Sequence, residues 1–231
     1  KFKYILSRMI VWFFGLSVFL VVIFKFLPVP FTPLMVIRVV ENAIDGKEIY
    51  FSHDWESLKD ISNNLQKAVI ASEDGTFLTH HGFDFTAMQK AFKNNEKGRR
   101  IKGGSTISQQ TAKNVFLWQG RSWIRKGLEV YFTFMIEIVW GKKRILEVYL
   151  NVIEMGKGVF GAEAAAQFYF NKSARNLSRR ESALIAACLP NPVRYKVKSG
   201  SRYVQSRASV IQRQMMNLQS DPVIRKLIEN R

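Results

Sequence analysis

Apolar positions crowd the start of the chain and then give way to a spacing of three and four. Residues 9–24 form sixteen consecutive uncharged positions between Arg8 and Lys25, with Trp12, Phe13, Phe14, Phe19 and Phe24 spread round every face of a helix. With residues 4–6 added and Lys25 snorkelling, roughly 20 residues are available, enough to cross the hydrocarbon of a bilayer. A cleaved signal peptide would share this basic start and apolar run. The exit Lys25-Phe-Leu-Pro28-Val-Pro30-Phe-Thr-Pro33 has no pair of small residues for cleavage, so residues 1–27 read as a cytoplasmic stub and an uncleaved anchor. Lys1, Lys3 and Arg8 precede the span, but Lys25, Arg38 and Lys47 follow it, so the basic residues favour a cytoplasmic N-terminus by only a small margin.

Beyond the anchor, Pro28, Pro30 and Pro33 mark a stiff exit, because each fixes its own backbone and disfavours helix just before it. Residues 28–62 read as a connector with one short strand. From residue 63 the pattern is helical. Asn64 is placed to cap residues 65–72, Asp84 a segment to about residue 95, and Ser105 the segment 106–116. Further helices are predicted over 123–140, ending near Gly141, then over 142–151 and 162–170. Ser178 and Glu181 have capping-box spacing before an apolar run that Pro190 ends, and residues 202–218 and 222–229 close the chain as helix. Alternating strand patterns and internal repeats are nearly absent, so residues 63–231 are expected to form one mostly α domain.

Charge changes this picture. Among 231 residues, 35 Lys and Arg stand against 18 Asp and Glu, a net charge of +17, which demands nucleic acid, an acidic membrane or a phosphorylated substrate as counterpart. A hydrophobic content of 47% excludes disorder along the whole chain, and a lone cysteine, Cys188, excludes an internal disulfide framework. Residues 97–144 hold eleven Lys and Arg against two acids, Glu129 and Glu137, a surplus of nine. A solvated basic face is the plain reading of such a run. Here the cations share their stretch with Gly103-Gly104 opening onto a capped helix, which offers N–H groups to an anion, and with Phe116, Leu117, Trp118 and Trp123. That mixture suits an amphiphile with a phosphate end and a lipid end.

Candidate acid–base chemistry lies at Glu73-Asp74, where a predicted helix ends in a loop carrying Phe77, His80, His81 and Gly82. A carboxylate partly desolvated at such a junction is raised toward the range of a general base, whereas a solvated pair of loop acids is the alternative. Adjacent histidines diverge, so a structural hydrogen-bonding role suits them better than metal ligation. Glu129 has Arg125 four residues and Lys126 three residues before it, the arrangement of an ion-pair cluster, and follows Glu73 by 56 residues, far enough for the fold to set the two across a cleft. Gly156-x-Gly158-x-x-Gly161 imitates a dinucleotide fingerprint, but residues 144–151 before it read as helix rather than strand, and Glu181 belongs to its capping box.

Four ordered motifs resemble the peptidoglycan glycosyltransferases of family 51, in particular the monofunctional membrane-anchored kind, over residues 28–195. They are Glu73-Asp74-x-x-Phe77-x-x-His80-x-Gly82; Gly103-Gly-Ser105-Thr-Ile-Ser-Gln109-Gln110 running on to Lys113-Asn114; Arg125-Lys-x-x-Glu129; and Lys142-x-x-Ile145-Leu-Glu147-x-Tyr149-Leu-Asn151 with the glycines 156, 158 and 161. Ser108 stands where the family usually has Thr, and Thr111 where a larger apolar residue is common. The resemblance implies a lysozyme-like α-helical fold and polymerisation of lipid II into glycan strands, with inversion and release of a polyprenyl pyrophosphate. It implies Glu73 as general base, with Glu129 as the second catalytic carboxylate. Lys113 and Arg121 would belong with Glu129 near the donor pyrophosphate, and Asp74, Ser105, Gln110, Arg125 and Lys126 would contribute to substrate binding.

The resemblance also implies lipid II and the growing glycan as substrates, the cytoplasmic membrane as support with the catalytic domain on its outer face, and room for cell-wall synthesis or division proteins as partners. No cofactor is required by the sequence, and a divalent cation (Mg or Mn) stays open. Neither Ser-x-x-Lys nor Lys-Thr-Gly occurs, so polymerisation without crosslinking is expected. Two rivals remain: a lysozyme-like enzyme cleaving glycan with Glu73 as acid, and a tethered binder of nucleic acid or anionic lipid. A neutral glycan needs no cation clamp, and no nucleic-acid-binding motif is visible.

Overall fold

A computed structural model describes residues 2–44, 46, 50–96, 104–120, 122–219 and 222–229. The first helix, α1 (Phe2–Phe26), continues through the whole apolar run. At 1.5 Å per residue it is about 37 Å long, more than the thickness of a hydrocarbon core. Among the described residues it is the helix long and apolar enough to cross a membrane.

The remaining helices are α2 (Pro33–Ile44), α3 (Asn63–Glu73), α4 (Phe85–Glu96), α5 (Ile107–Phe116), α6 (Trp123–Val139), α7 (Gly141–Val152), α8 (Ala162–Phe170), α9 (Arg179–Cys188), α10 (Arg202–Gln219) and α11 (Pro222–Glu229). The expected mostly α architecture holds. Local sequence accounts for most of the boundaries. Ser62, rather than the expected Asn64, caps α3 by accepting from the Asn64 N–H at 3.2 Å, so the helix starts two residues earlier than its spacing suggests. Ser178 and Glu181 form the anticipated capping box of α9. Gly141, with φ +72°, separates α6 from α7, and Asn171, with φ +54°, ends α8 in the left-handed conformation that asparagine tolerates.

Two expectations change. Residues 33–44, read as part of an irregular connector, form α2, with Pro33 at the first helical position, where its missing N–H costs nothing. Arg38 of α2 reaches Glu154 at 3.0 Å, so this part of the connector packs against the catalytic domain. A small sheet also forms, in the order β1 (Ser52–His53), β3 (Val159–Phe160), β2 (Glu154–Gly156). β1 runs parallel to β3 with Ser52 beside Val159, and β2 is antiparallel to it. Strands of two and three residues are too short to show a period of two in sequence.

This sheet explains the glycine-rich string. A Cβ on Gly158 would collide with the Tyr50 carbonyl, and one on Gly161 would lie 2.5 Å from the Asn151 carbonyl oxygen. Both glycines have positive φ. They allow three backbones to approach closely.

The core lies between α3, α5, α7 and α9, with Leu65, Val69, Ile70, Ile107, Ile145, Leu146, Tyr149 and Ile185 fully enclosed. α1 docks on this body rather than hanging from it. Phe13 and Phe14 pack against Tyr131, and Ser17 Oγ lies 2.8 Å from the Tyr131 hydroxyl. Trp140 Nε1 donates to the Val21 carbonyl at 2.7 Å, and Arg144 Nη2 donates to the Phe24 carbonyl at 2.8 Å. A guanidinium thus serves the unpaired carbonyls and negative dipole end of α1. On α6 the apolar run turns one face inward through Phe132 and Ile136. Trp123, Ile124, Val130, Phe134 and Ile138 lie on the opposite, exposed face.

The close approach at Gly161 has a measurable consequence. Gly161→Ala is expected to lower stability by about 2 kcal/mol or more, since a Cβ there meets backbone in a strained conformation. Gly127→Ala on α6, where a Cβ meets nothing within 4 Å, should instead raise it by roughly 0.5–1 kcal/mol. Thermal unfolding of the detergent-solubilised protein distinguishes the two by sign.

Candidate active site

Glu73 is the last residue of α3, half-buried at the point where the helix gives way to the loop 75–84. Burial pushes its carboxyl above the ordinary glutamate value, while a hydrogen bond from Gln110 and the charge of Arg207 oppose the rise. The Gln110 bond is direct: Nε2 donates to Glu73 Oε2 at 3.1 Å. Gln110 is in turn held from behind, its Oε1 accepting from the Tyr149 hydroxyl at 3.3 Å.

Asp74, expected among the substrate-binding residues, turns inward instead. It is 7% exposed, and its Oδ2 accepts from the Ile107 N–H at 2.9 Å. His80 Nε2 lies 2.9 Å from the same oxygen, and His80 Nδ1 accepts from the Gly82 N–H at 3.1 Å. Since Nδ1 accepts, the imidazole carries its proton on Nε2 and donates it to Asp74. The first motif is therefore a local hydrogen-bonded device. Its Phe77 is enclosed in the core, with Lys142 Nζ 4.7 Å from the ring centroid.

The second motif builds α5. Thr106, rather than Ser105, is its cap: Thr106 Oγ1 accepts from the Gln109 N–H at 3.2 Å, and Gln109 Oε1 accepts from the Thr106 N–H at 3.0 Å. The register is decided by a third bond, Thr106 Oγ1 donating to the Gly82 carbonyl at 2.6 Å, which only the folded chain supplies. Ser105 is left exposed ahead of the helix. Gln110 and Lys113, one turn apart, share one side of α5.

Lys113 faces the second carboxylate. Burial lowers its ammonium below the usual lysine range, Glu129 raises it, and Arg125 and Lys126 lower it further. Glu129 is 3% exposed and paired on both oxygens, Oε2 with Arg125 Nη1 at 2.7 Å and Oε1 with Lys126 Nζ. Arg125 Nε is buried and has no partner among the described residues. α5 thus carries one residue toward each carboxylate: Gln110 to Glu73 and Lys113 to the Glu129 cluster. Arg121, expected at the pyrophosphate, lies outside the described residues, as do Gly103 and the basic residues at 97–102.

Two residues escaped the sequence reading. Tyr149 stood in the fourth motif without a role, and only its hydroxyl's position reveals its link to Gln110. Arg207 lies on α10, beyond the motifs, and no local signal marks it. Other basic residues of the surplus turn out to be internal: Lys142 pairs with Glu137 at 2.6 Å, and Arg144 pairs with Glu147 and clamps α1. No set of three His, Cys, Asp or Glu side chains gathers as metal ligands among the described residues.

The chain matches the model of the transglycosylase family over residues 42–216. It is 51% identical over 226 residues to a biosynthetic peptidoglycan transglycosylase of Bacteroides thetaiotaomicron, covering 97% of this chain and 91% of that one. A protein of the same name from Pseudomonas putida is 50% identical over 226 residues, 98% of this chain and 96% of its own. Another from Haemophilus influenzae is 52% identical over 214 residues, 92% and 87% of the two chains. A family match through both carboxylate sites, with half of all residues shared end to end, makes this chain a member of the transglycosylase family.

Proposed function

We propose that the chain polymerises lipid II into glycan strands, with Glu73 as the general base. The acceptor sugar's 4-hydroxyl oxygen attacks the anomeric carbon of the donor and its proton passes to Glu73. The bond from that carbon to the pyrophosphate oxygen breaks on the opposite face, which inverts the centre. Negative charge collects on the departing polyprenyl pyrophosphate, and cations set in advance around its oxygens stabilise that charge without reorganising.

One observation carries this reading: α5 links a carboxylate held above its ordinary pKa to a cluster of Lys113, Arg125 and Lys126 around the buried Glu129. The buried, unpartnered Nε of Arg125 is a donor suited to a phosphate oxygen. Glu129 would hold the cations in place until substrate arrives, and Asp74 would position the loop rather than touch the sugar. Arg121 and Ser105 are assigned to the same cleft by family likeness. A glycan-cleaving enzyme would have no use for such a cluster.

Membrane placement follows the same logic. α1 anchors the chain with its N-terminus in the cytoplasm, and the domain lies on the outer face where lipid II presents its sugars. The exposed apolar face of α6, beside the docked anchor, would rest in the lipid headgroups and set the cleft at the height of the pyrophosphate.

Glu73→Gln is expected to bind lipid II and yield no glycan, read from labelled lipid II in detergent. Its melting temperature should rise. An acid whose folded pKa lies above its unfolded value binds more protons when folded, so its ionisation near neutral pH destabilises the fold, and the amide removes that penalty.

Lys113→Ala should cost about 3 kcal/mol of transition-state stabilisation, roughly a hundredfold in rate, with the fold unchanged. Turnover of lipid II together with binding of a polyprenyl pyrophosphate tests it. Undiminished binding and turnover would remove Lys113 from the site.

A further inference from the structure

We propose that Tyr149 is a positioning residue for the base: its buried hydroxyl fixes the Gln110 amide with the NH2 end toward Glu73. This rests on the assignment of Glu73 as general base and adds a second layer behind it. A glutamine amide is nearly symmetric in shape, and a half-turn about its last bond exchanges a donor for an acceptor. An ionised carboxylate can only accept. Gln110 therefore helps the base only in one of its two orientations, and nothing in Glu73 itself selects that one once the carboxyl takes up a proton.

The selection comes from the other end of the amide. Tyr149 lies on α7, is completely enclosed, and places its hydroxyl 3.3 Å from Gln110 Oε1. Burial, together with the nearby charges of Glu73 and Asp74, holds the phenol well above its ordinary value, so it remains a donor throughout the working pH range. With a fixed donor behind it, Oε1 stays turned toward Tyr149, and Nε2 stays turned toward Glu73 Oε2 at 3.1 Å. The chain Tyr149–Gln110–Glu73 offsets part of the desolvation that drives the carboxyl toward its protonated form. Remove the hydroxyl, and Oε1 loses that donor while the amide is free to turn. An oxygen facing Glu73 then favours the protonated base, which cannot take the acceptor's proton.

Tyr149→Phe removes the oxygen and keeps the ring that fills the core. In the full membrane-anchored chain, with labelled lipid II in detergent, the acid limb of the kcat profile should move up by about one pH unit. Turnover below that limb would fall about tenfold, recover at alkaline pH, and leave KM unchanged. Gln110→Ala should displace the limb by a similar amount. The double variant should go no further than either single one, because both remove the same link.

A loss equal at every pH, an unmoved limb, or displacements that add in the double variant would each overturn the proposal. Glu73→Gln in the same assay separates the two layers. If that variant is active, the general-base assignment falls. If it is inactive while Tyr149→Phe keeps the parental limb, only the positioning role falls.

Discussion

The hydrogen bond from the Ile107 N–H to Asp74 joins the last turn of α3 to the first turn of α5, and the geometry of the site depends on it. Glu73 precedes Asp74 by one residue, and Gln110 follows Ile107 by three, so this bond sets base and amide relative to each other. Burying a carboxylate is costly unless its oxygens are satisfied. Here the compensation comes from the His80 N–H, the Ile107 N–H and the positive end of α5. The loop between the helices is tied into the same point: His80 Nδ1 accepts from Gly82, and the Gly82 carbonyl accepts from the cap of α5. One acidic side chain thus joins the end of a helix to the start of another and folds the loop between them.

Around that joint the protein separates two electrostatic tasks. At Glu73, burial raises the pKa, and a neutral amide limits the rise without neutralising the base. At Glu129 the balance is opposite: a nearly inaccessible carboxylate is surrounded by cations whose charge outweighs it. In the proposed roles a base must stay able to gain a proton, whereas a leaving-group site must stay positive. Placing the two at different points along α5 would serve both. α1 belongs to the same arrangement, since Trp140 and Arg144 grip its end close to the helices that carry the site.

Helix caps show where local information suffices. Ser178 with Glu181, and Asp84 ahead of α4, act where the spacing places them, because a cap needs only its own helix. At α5 two adjacent residues, Ser105 and Thr106, are equally able to cap. The choice falls to Thr106 because its hydroxyl also reaches a carbonyl 24 positions away. The glycines 158 and 161 follow the same rule, required by backbones at Tyr50 and Asn151 that approach only after the small sheet forms. The fate of the basic surplus was equally hidden, since Lys142 and Arg144 sit among site residues in sequence yet serve internal pairs.

By itself the sequence determined the apolar N-terminal helix, the mostly helical body, the motif order and the residue types available for acid–base and anion chemistry. Each of these follows from composition, short-range spacing or family likeness. Only the tertiary structure decided that Asp74 is a joint, that Gln110 and Lys113 address different carboxylates, and that Tyr149 and Arg207 belong near Glu73. Those relations arise between helices that are distant in the chain. Desolvation and hydrogen-bond direction depend on what surrounds a group in space, and that is absent from any local stretch of residues.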